Sequence, residues 1–346
     1  MSDQLLGSFV WCELLTTDTA AAGNFYKKVV GWKTAPWGTD TSYTTFNSGA
    51  GPVAGMMTLP EDAKKMGAPP NWMMYVGTPD VDRTATRIAQ LGGRVLKQPE
   101  DIPNAGRFAV VQDPYGAAFG IYTPGDPRPP KGQPGLGDFS WYELYTPNPD
   151  GAWTFYNSLF GWEKTSAMDM GDMGVYQMFG RGGGIPSGGI MKPPPGAPAA
   201  WMPYAMVADA KAAARKAQAS GGKIVNGPME VPGGDWIAQG MDPQGAMFSV
   251  HSRKPGAAAP PPAAEPAAKA AKPAAAAKPA AKKATPKKSA AAKAKAPAKK
   301  AKAAKKVPKK AAKKAAKKST KGARRGEARM ASRKKAAKRP RKAKKR

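Results

Sequence analysis

Apolar and polar positions switch period twice within the first hundred residues. Phe9, Trp11, Glu13 and Leu15 alternate with Val10, Cys12 and Leu14, the twofold period of a strand. Behind that strand, Ala22, Phe25, Tyr26, Val29 and Val30 fall on one face at helical spacing, with Asp18 placed to cap the start and Gly31 to end it. Strand-like runs follow, then a second helix predicted between Asp80 and the Gly92-Gly93 pair. The tetrad DPYG (Asp113 to Gly116) puts Asp, Pro and Gly at the first, second and fourth positions of a type I turn, so a hairpin closes the unit.

The same order then recurs. A shift of 130 brings Phe9, Trp11, Glu13, Leu14 and Thr16 onto Phe139, Trp141, Glu143, Leu144 and Thr146, Phe25-Tyr26 onto Phe155-Tyr156, and Gly31-Trp32 onto Gly161-Trp162. A shift of 129 brings Trp72, Tyr75, Gly92-Gly93 and Asp113-Pro114 onto Trp201, Tyr204, Gly221-Gly222 and Asp242-Pro243. Such periodic self-similarity marks two copies of one module. In the second copy Pro149 stands near the helix start, Phe155, Tyr156, Leu159 and Phe160 form the apolar face, Asp209 precedes the second helix, and DPQG (Asp242 to Gly245) makes the closing turn. Each copy therefore reads as two βαβββ halves. The predicted boundaries are 1–123 for the first module, 124–136 for a linker rich in proline and glycine, 137–252 for the second module and 253–346 for a tail.

Charge separates that tail from everything before it. Residues 254–346 hold 35 of the 55 Lys and Arg residues against two acids, Glu265 and Glu327, which leaves 20 basic and 22 acidic residues for the rest. After Lys254 there is no Phe, Trp, Tyr, Leu, Ile or Cys, so ordering this segment, at about 1 to 2 kcal/mol per residue, has no apolar burial to offset it. Disorder is the expectation. Polyanions are the natural partner, because each phosphate neutralised by a lysine releases a counterion whatever the base sequence. In KKAAKKAAKK, Lys309, Lys310, Lys313, Lys314, Lys317 and Lys318 would form adjacent stripes on an induced helix, while Pro286, Pro297 and Pro308 divide the tail into short pieces. Lys287 and Lys288 in TPKK, and Arg339 and Arg341 around Pro340, suit narrow minor grooves. In composition the segment resembles linker-histone tails. A solubilising tail is the alternative; membrane anchoring is disfavoured because no aromatic or leucine accompanies the charge.

The strand and helix ending in FY and GW, the helix before GG and the closing DPxG turn resemble the vicinal oxygen chelate superfamily, which includes glyoxalase I, extradiol dioxygenases and bleomycin-resistance proteins. The resemblance spans Gly7 to about His251. It implies an α+β fold: two tandem modules of paired βαβββ units forming curved mixed sheets around a cavity, followed here by the disordered basic tail. It also implies metal ligands on the first strand, a middle strand and the last strand, and here the sequence departs from it. Those positions fall on Trp11 and Trp141, near Met73 or Met74 and Met202 or Pro203, and on Gly120 and Ser249. Indole nitrogen offers a metal no lone pair, and the chain has one histidine, so neither a metal nor another cofactor is expected.

What remains is an apolar site. Trp11, Trp72, Met74, Trp141 and Trp201, with Pro203, are expected to line it around a planar or apolar ligand, and Glu13 and Glu143 to serve as hydrogen-bond acceptors, general bases or purely structural groups. His251 reads as a surface residue, Asp113 and Asp242 as turn residues, and Cys12 as a packing residue that leaves the chain free of internal disulfides. The start MSDQLLGSFVW lacks the pattern of a signal peptide, and no run approaches 18 apolar residues, so a cytoplasmic, nucleoid-associated or chromatin-associated protein without membrane insertion is expected. The expected assembly is a monomer with an internal pseudo-dimer, or a homodimer. Two function classes stay open: a metal-free binding protein held on DNA or RNA by its tail, and a metal-free enzyme, isomerase or hydroxylase-like, that the tail merely localises.

Overall fold

Asp18, Asp80 and Asp209 start their helices where the sequence asks for them, and Asn148, ahead of Pro149, does the same for the fourth long helix. Asp18, Asp80, Asn148 and Asp209 each accept a hydrogen bond from a backbone N–H in the first turn, and Gly161 ends the second module's first helix in the left-handed region at φ 66°. The computed structural model describes residues 5–38, 40–126, 133–254 and 256. The first module comprises β1 (Phe9–Thr16), α1 (Thr19–Val29), β2 (Lys33–Trp37), β3 (Asp40–Ser48), β4 (Gly51–Thr58), a short α2 (Glu61–Lys65), β5 (Asn71–Gly77), α3 (Val81–Gln90), β6 (Arg94–Ile102), β7 (Gly106–Gln112) and β8 (Ala118–Pro124). The second comprises β9 (Phe139–Tyr145), α4 (Pro149–Phe160), β10 (Glu163–Asp169), β11 (Val175–Gly180), β12 (Pro186–Met191), β13 (Ala200–Met206), α5 (Ala210–Ala219), β14 (Lys223–Glu230), β15 (Trp236–Met241) and β16 (Met247–Ser252).

Each module makes one mixed eight-stranded sheet, in the order β2-β3-β4-β1-β5-β8-β7-β6 and its repeat β10-β11-β12-β9-β13-β16-β15-β14. β1 runs parallel to β4 and antiparallel to β5, and β5 runs parallel to β8, so each βαβββ half closes beside its own first strand. The DPxG turns carry the expected bonds, from Gly116 N–H to the Asp113 carbonyl and from Gly245 N–H to the Asp242 carbonyl. The long helices lie on one face of the sheets, where α1 buries Phe25, Tyr26 and Val29, and α3 buries Val81, Ala85 and Ile88.

The modules pair through that helical face and share one core. α1 packs against α5 and α3 against α4, so each module's first helix meets the other's second. Tyr26 Oη donates to Asp242 Oδ2 at 3.1 Å and accepts from Trp72 Nε1 at 2.9 Å. Tyr156 Oη donates to Asp113 Oδ2 at 3.0 Å and accepts from Trp201 Nε1 at 2.9 Å. Trp32 Nε1 bonds the Gly137 carbonyl at 2.8 Å and Trp162 Nε1 the Gly7 carbonyl at 2.9 Å. This reciprocity, in which residue i meets j and the repeat of i meets the repeat of j, is that of a twofold dimer interface built within one chain. The void left in it, lined by Tyr26, Trp32, Trp72, Phe139 and Phe248, is about 10 Å³, hardly room for one water. Asp113 and Asp242 are turn residues as expected, and they also brace the two modules together.

Candidate functional site

Strand register decides which side chains share a sheet face. Along the β1–β5 pair, Trp11 stands opposite Tyr75 and Glu13 opposite Met73, whereas Cys12 stands opposite Met74 and Leu14 opposite Trp72. Side chains directly opposite point to the same side. Trp11, Glu13, Met73 and Tyr75 thus occupy the face away from the helices, and Trp72 and Met74 the buried helical face. The second module repeats this, with Trp141 opposite Tyr204 and Glu143 opposite Met202, and with Leu144 opposite Trp201 and Tyr142 opposite Pro203. The placement of Trp72, Met74, Trp201 and Pro203 as walls beside the glutamates is therefore corrected: Trp72, Met74 and Trp201 belong to the core, and Pro203 faces the other module. Tyr75 and Tyr204, already visible as a repeated pair, take their place.

A hydrogen-bond relay runs across the first concave face. Trp11 Nε1 donates to Tyr43 Oη at 3.0 Å, Tyr43 Oη donates to Glu13 Oε1 at 2.7 Å, and Tyr75 Oη donates to Glu13 Oε2 at 3.0 Å. On the second, Trp141 Nε1 donates to Tyr176 Oη at 2.7 Å, and Tyr176 and Tyr204 donate to Glu143 Oε2 and Oε1, each at 3.0 Å. Tyr43 and Tyr176 can lie over the sheet because Gly55 and Gly189 beneath them have no side chain; a Cβ there would overlap the tyrosine ring or its hydroxyl. Tyr43 and Tyr176 fall out of step with the repeat shift, so sequence comparison of the copies misses them.

Among the described residues no long helix covers these glutamates, yet Glu13 is only 9% exposed and Glu143 7%. Aromatic side chains of the curved sheet itself exclude the water. Burial dominates their titration and raises both carboxyls above the ordinary glutamate range, with the tyrosine hydrogen bonds opposing it. Burial and the neighbouring glutamates push Tyr43, Tyr75, Tyr176 and Tyr204 upward as well, so the phenols keep their protons and act as donors. The second face is more fully occupied: Gln239 donates to Tyr204 Oη at 2.6 Å and Glu143 Oε1 at 3.3 Å, and accepts from Asn226 at 2.8 Å, whereas the first module has Val110 at the corresponding place.

The raised carboxyls give a pH dependence with a definite sign. A native acid with a raised pKa holds protons that the unfolded chain has released, so stability is full below about pH 4 and falls as pH rises through the native values. Burial raises Asp113 and Asp242 in the same sense. Glu13→Gln and Glu143→Gln should each flatten the decline in unfolding free energy measured from pH 4 upward; a decline unchanged in both variants contradicts this assignment.

The residues present do not fit a metal. Trp11, Tyr75 and Gly120 lie in one row across β1, β5 and β8, as do Trp141, Tyr204 and Ser249 across β9, β13 and β16. The middle position is thus Tyr75 or Tyr204, not the methionines or proline expected from spacing. Each row supplies an indole, a phenol already bonded to glutamate and a glycine or serine, and among the described residues no group of three His, Cys, Asp or Glu side chains converges.

His251 departs from its expected surface role, since it is half-buried and bonded through both ring nitrogens to Ser140 and Asp235. Cys12 packs in the core, where burial raises its thiol. Lys287, Lys288, Lys309, Lys310, Lys313, Lys314, Lys317, Lys318, Arg339 and Arg341 lie outside the described residues. Among the described residues no helix is long and apolar enough to cross a membrane.

The model of the Glyoxalase/Bleomycin resistance protein/Dioxygenase superfamily matches residues 8–121 and again 138–250. The chain is 36% identical over 255 residues to "Putative glyoxylase CFP32" of Mycobacterium tuberculosis, covering 72% of this chain and 96% of that one. It is 32% identical over 270 residues to the anthracycline biosynthesis protein DnrV of Streptomyces peucetius, covering 73% and 96%. Among solved structures, the 2,3-dioxygenase LapB of Pseudomonas sp. KL28 superposes with a TM-score of 0.51 at 12% identity, over 75% of this chain and 96% of that one. The Mn(II)-bound glyoxalase of Novosphingobium aromaticivorans superposes with a TM-score of 0.50 at 17% identity, over 73% and 83%. These superpositions speak to fold alone.

Proposed function

The chain belongs to the Glyoxalase/Bleomycin resistance protein/Dioxygenase superfamily, and on that premise we propose that its duplicated body binds a small planar aromatic molecule, without a metal, while its basic tail holds it on DNA. The carrying observation is the Trp–Tyr–Glu–Tyr relay, built twice on faces free of the helices. Indole and phenol rings supply flat apolar area, and a carboxyl raised by burial can, in its protonated form, donate to a carbonyl or quinone oxygen, and in either form accept from a phenol. Two relatives bear the name of anthracycline biosynthesis proteins, DnrV and DauV, the latter from a Streptomyces strain at 31% identity. Anthracyclines are planar, oxygenated aromatics, the ligand class this relay suits.

The first face is the better candidate, since Glu13 lacks the glutamine that occupies Glu143. A second reading, metal-free catalysis by an isomerase or hydroxylase-like enzyme, draws on the raised Glu13 carboxyl, which is suited to proton transfer at a ligand oxygen or an adjacent carbon. Titration of the full chain with a dihydroxyanthraquinone, followed by tryptophan fluorescence, tests both. Saturable binding is expected, weakened about fivefold to tenfold in Glu13→Gln through loss of a hydrogen bond to the carboxyl. Recovery of the probe unaltered supports binding, and its conversion supports the enzyme. Equal affinity in the Glu13 and Glu143 variants and the parent would remove the relay from the account.

A further inference from the structure

One end of the second concave face carries a side-chain cluster that the first face lacks. Ser140 sits where β9 bulges against β13, between Phe139 and Trp141. Its Oγ is 2.9 Å from His251 Nδ1, and His251 Nε2 is 2.9 Å from Asp235 Oδ2. Asp235 is held in turn by the backbone N–H of Lys254, 2.9 Å from its Oδ1. At the matching places the first module has Val10 and Tyr122, and the Tyr122 hydroxyl is spent on the Ala105 carbonyl at 2.6 Å. The chain's one histidine therefore stands where a serine and an aspartate flank it.

The proton positions follow from the partners. An aspartate carboxylate only accepts, so Nε2 carries the imidazole hydrogen and Nδ1 turns its lone pair to Ser140. The other acceptor near Ser140, the Tyr204 carbonyl, is farther away at 3.4 Å, so the serine proton points to the ring. All three residues are half-buried, open enough for a ligand to reach and sheltered enough to hold their geometry. A nucleophile bonded to a base, and the base oriented by a third group, is the arrangement that activates a hydroxyl.

We propose that Ser140, His251 and Asp235 form an acyl-transfer centre for small aromatic esters. Ser140 Oγ attacks the ester carbonyl carbon as His251 Nδ1 takes its proton. The Oγ–C bond forms, the ester C–O bond breaks, and the leaving alcohol departs with the proton from Nδ1. Water then attacks the acyl-serine, passes a proton to Nδ1, and releases a carboxylic acid as Ser140 regains its hydrogen. Trp141 and Tyr204 flank the centre, and Glu143 lies three residues along β9, roughly 10 Å away. An aromatic alcohol moiety can therefore extend along the face from the serine. Asp235 acts through His251 as a positioning residue.

This proposal goes beyond the binding reading and stands independently of it, because serine reactivity requires neither Glu13 nor an anthraquinone. The full chain is treated with a serine-directed fluorophosphonate and, separately, with an aryl acetate, and adducts are mapped by peptide mass spectrometry so that lysine acylation is told apart. An adduct on Ser140 approaching one per chain is expected, absent in Ser140→Ala. His251→Gln should slow its formation at least about 100-fold. Asp235→Asn should slow it and alter its pH profile, with Asp235→Glu restoring part of the rate. No adduct at Ser140 in the unaltered chain overturns the proposal whether or not the variants fold, as does labelling of a folded His251→Gln protein at the parent rate.

Discussion

Replacing Tyr26 and Tyr156 together by phenylalanine should bring the duplicated body to the edge of unfolding in one cooperative transition. Each hydroxyl joins two buried partners from opposite modules, Trp72 with Asp242 and Trp201 with Asp113. Phenylalanine keeps the ring and removes the link, leaving an indole N–H without an acceptor and a buried carboxyl without one of its donors. An orphaned buried polar group costs about 1 to 3 kcal/mol, so each substitution should lower the unfolding free energy by roughly 3 kcal/mol. The two sites share no hydrogen-bond partner, so the double variant should lose about 6 kcal/mol, comparable to the 5 to 15 kcal/mol of a typical native protein. Denaturant unfolding followed by tryptophan emission checks this. Two separate transitions, with Tyr26→Phe moving one alone, would mean that the modules are independent domains.

Removing residues 254–346 should abolish DNA binding, because the 20 basic residues left behind are outnumbered by 22 acidic ones. For the full chain, affinity should fall by about 10³ to 10⁵ between 50 and 200 mM salt if the tail engages even six to ten phosphates, with a mild preference for A·T-rich sequence. Fluorescence anisotropy across a salt series reads this directly, and a flat response contradicts the electrostatic assignment. The truncated chain also tests whether tail and body work together. If the body captures DNA-directed aromatics where they act, cells expressing the truncated form lose tolerance to such a compound. Tolerance that persists without DNA binding separates the two functions.

The fold was legible because its signals are local. Alternation at Phe9 to Leu15, the aspartate caps, the Gly-Gly helix ends and the DPxG turns are decided within a few residues, and the repeat states each of them twice. Trp11 with Glu13, and Trp141 with Glu143, share a sheet face for the same reason, since neighbours two apart on a strand point to one side. Alternation on β5 and β13 likewise groups Trp72 with Met74, but it cannot say which of the two faces they occupy. That depends on the register with β1 and β9, set between segments some sixty residues apart, and it assigns Tyr75 and Tyr204 to the site and the tryptophans to the core. The Tyr26–Asp242 brace and the Ser140–His251 contact span 216 and 111 residues. The participating tyrosines and aspartates stood out in the repeat, but nothing in either neighbourhood names the partner.

The most direct test is a crystal structure of the full chain soaked with the dihydroxyanthraquinone, read for the position of the added density. The ring system should lie against Trp11 and Tyr75 with an oxygen within hydrogen-bond distance of Glu13 or of the tyrosines that bond it. Density seated instead between the modules, among Trp72, Trp201 and Phe139, or coordinated to a metal on either concave face, would contradict the central claim.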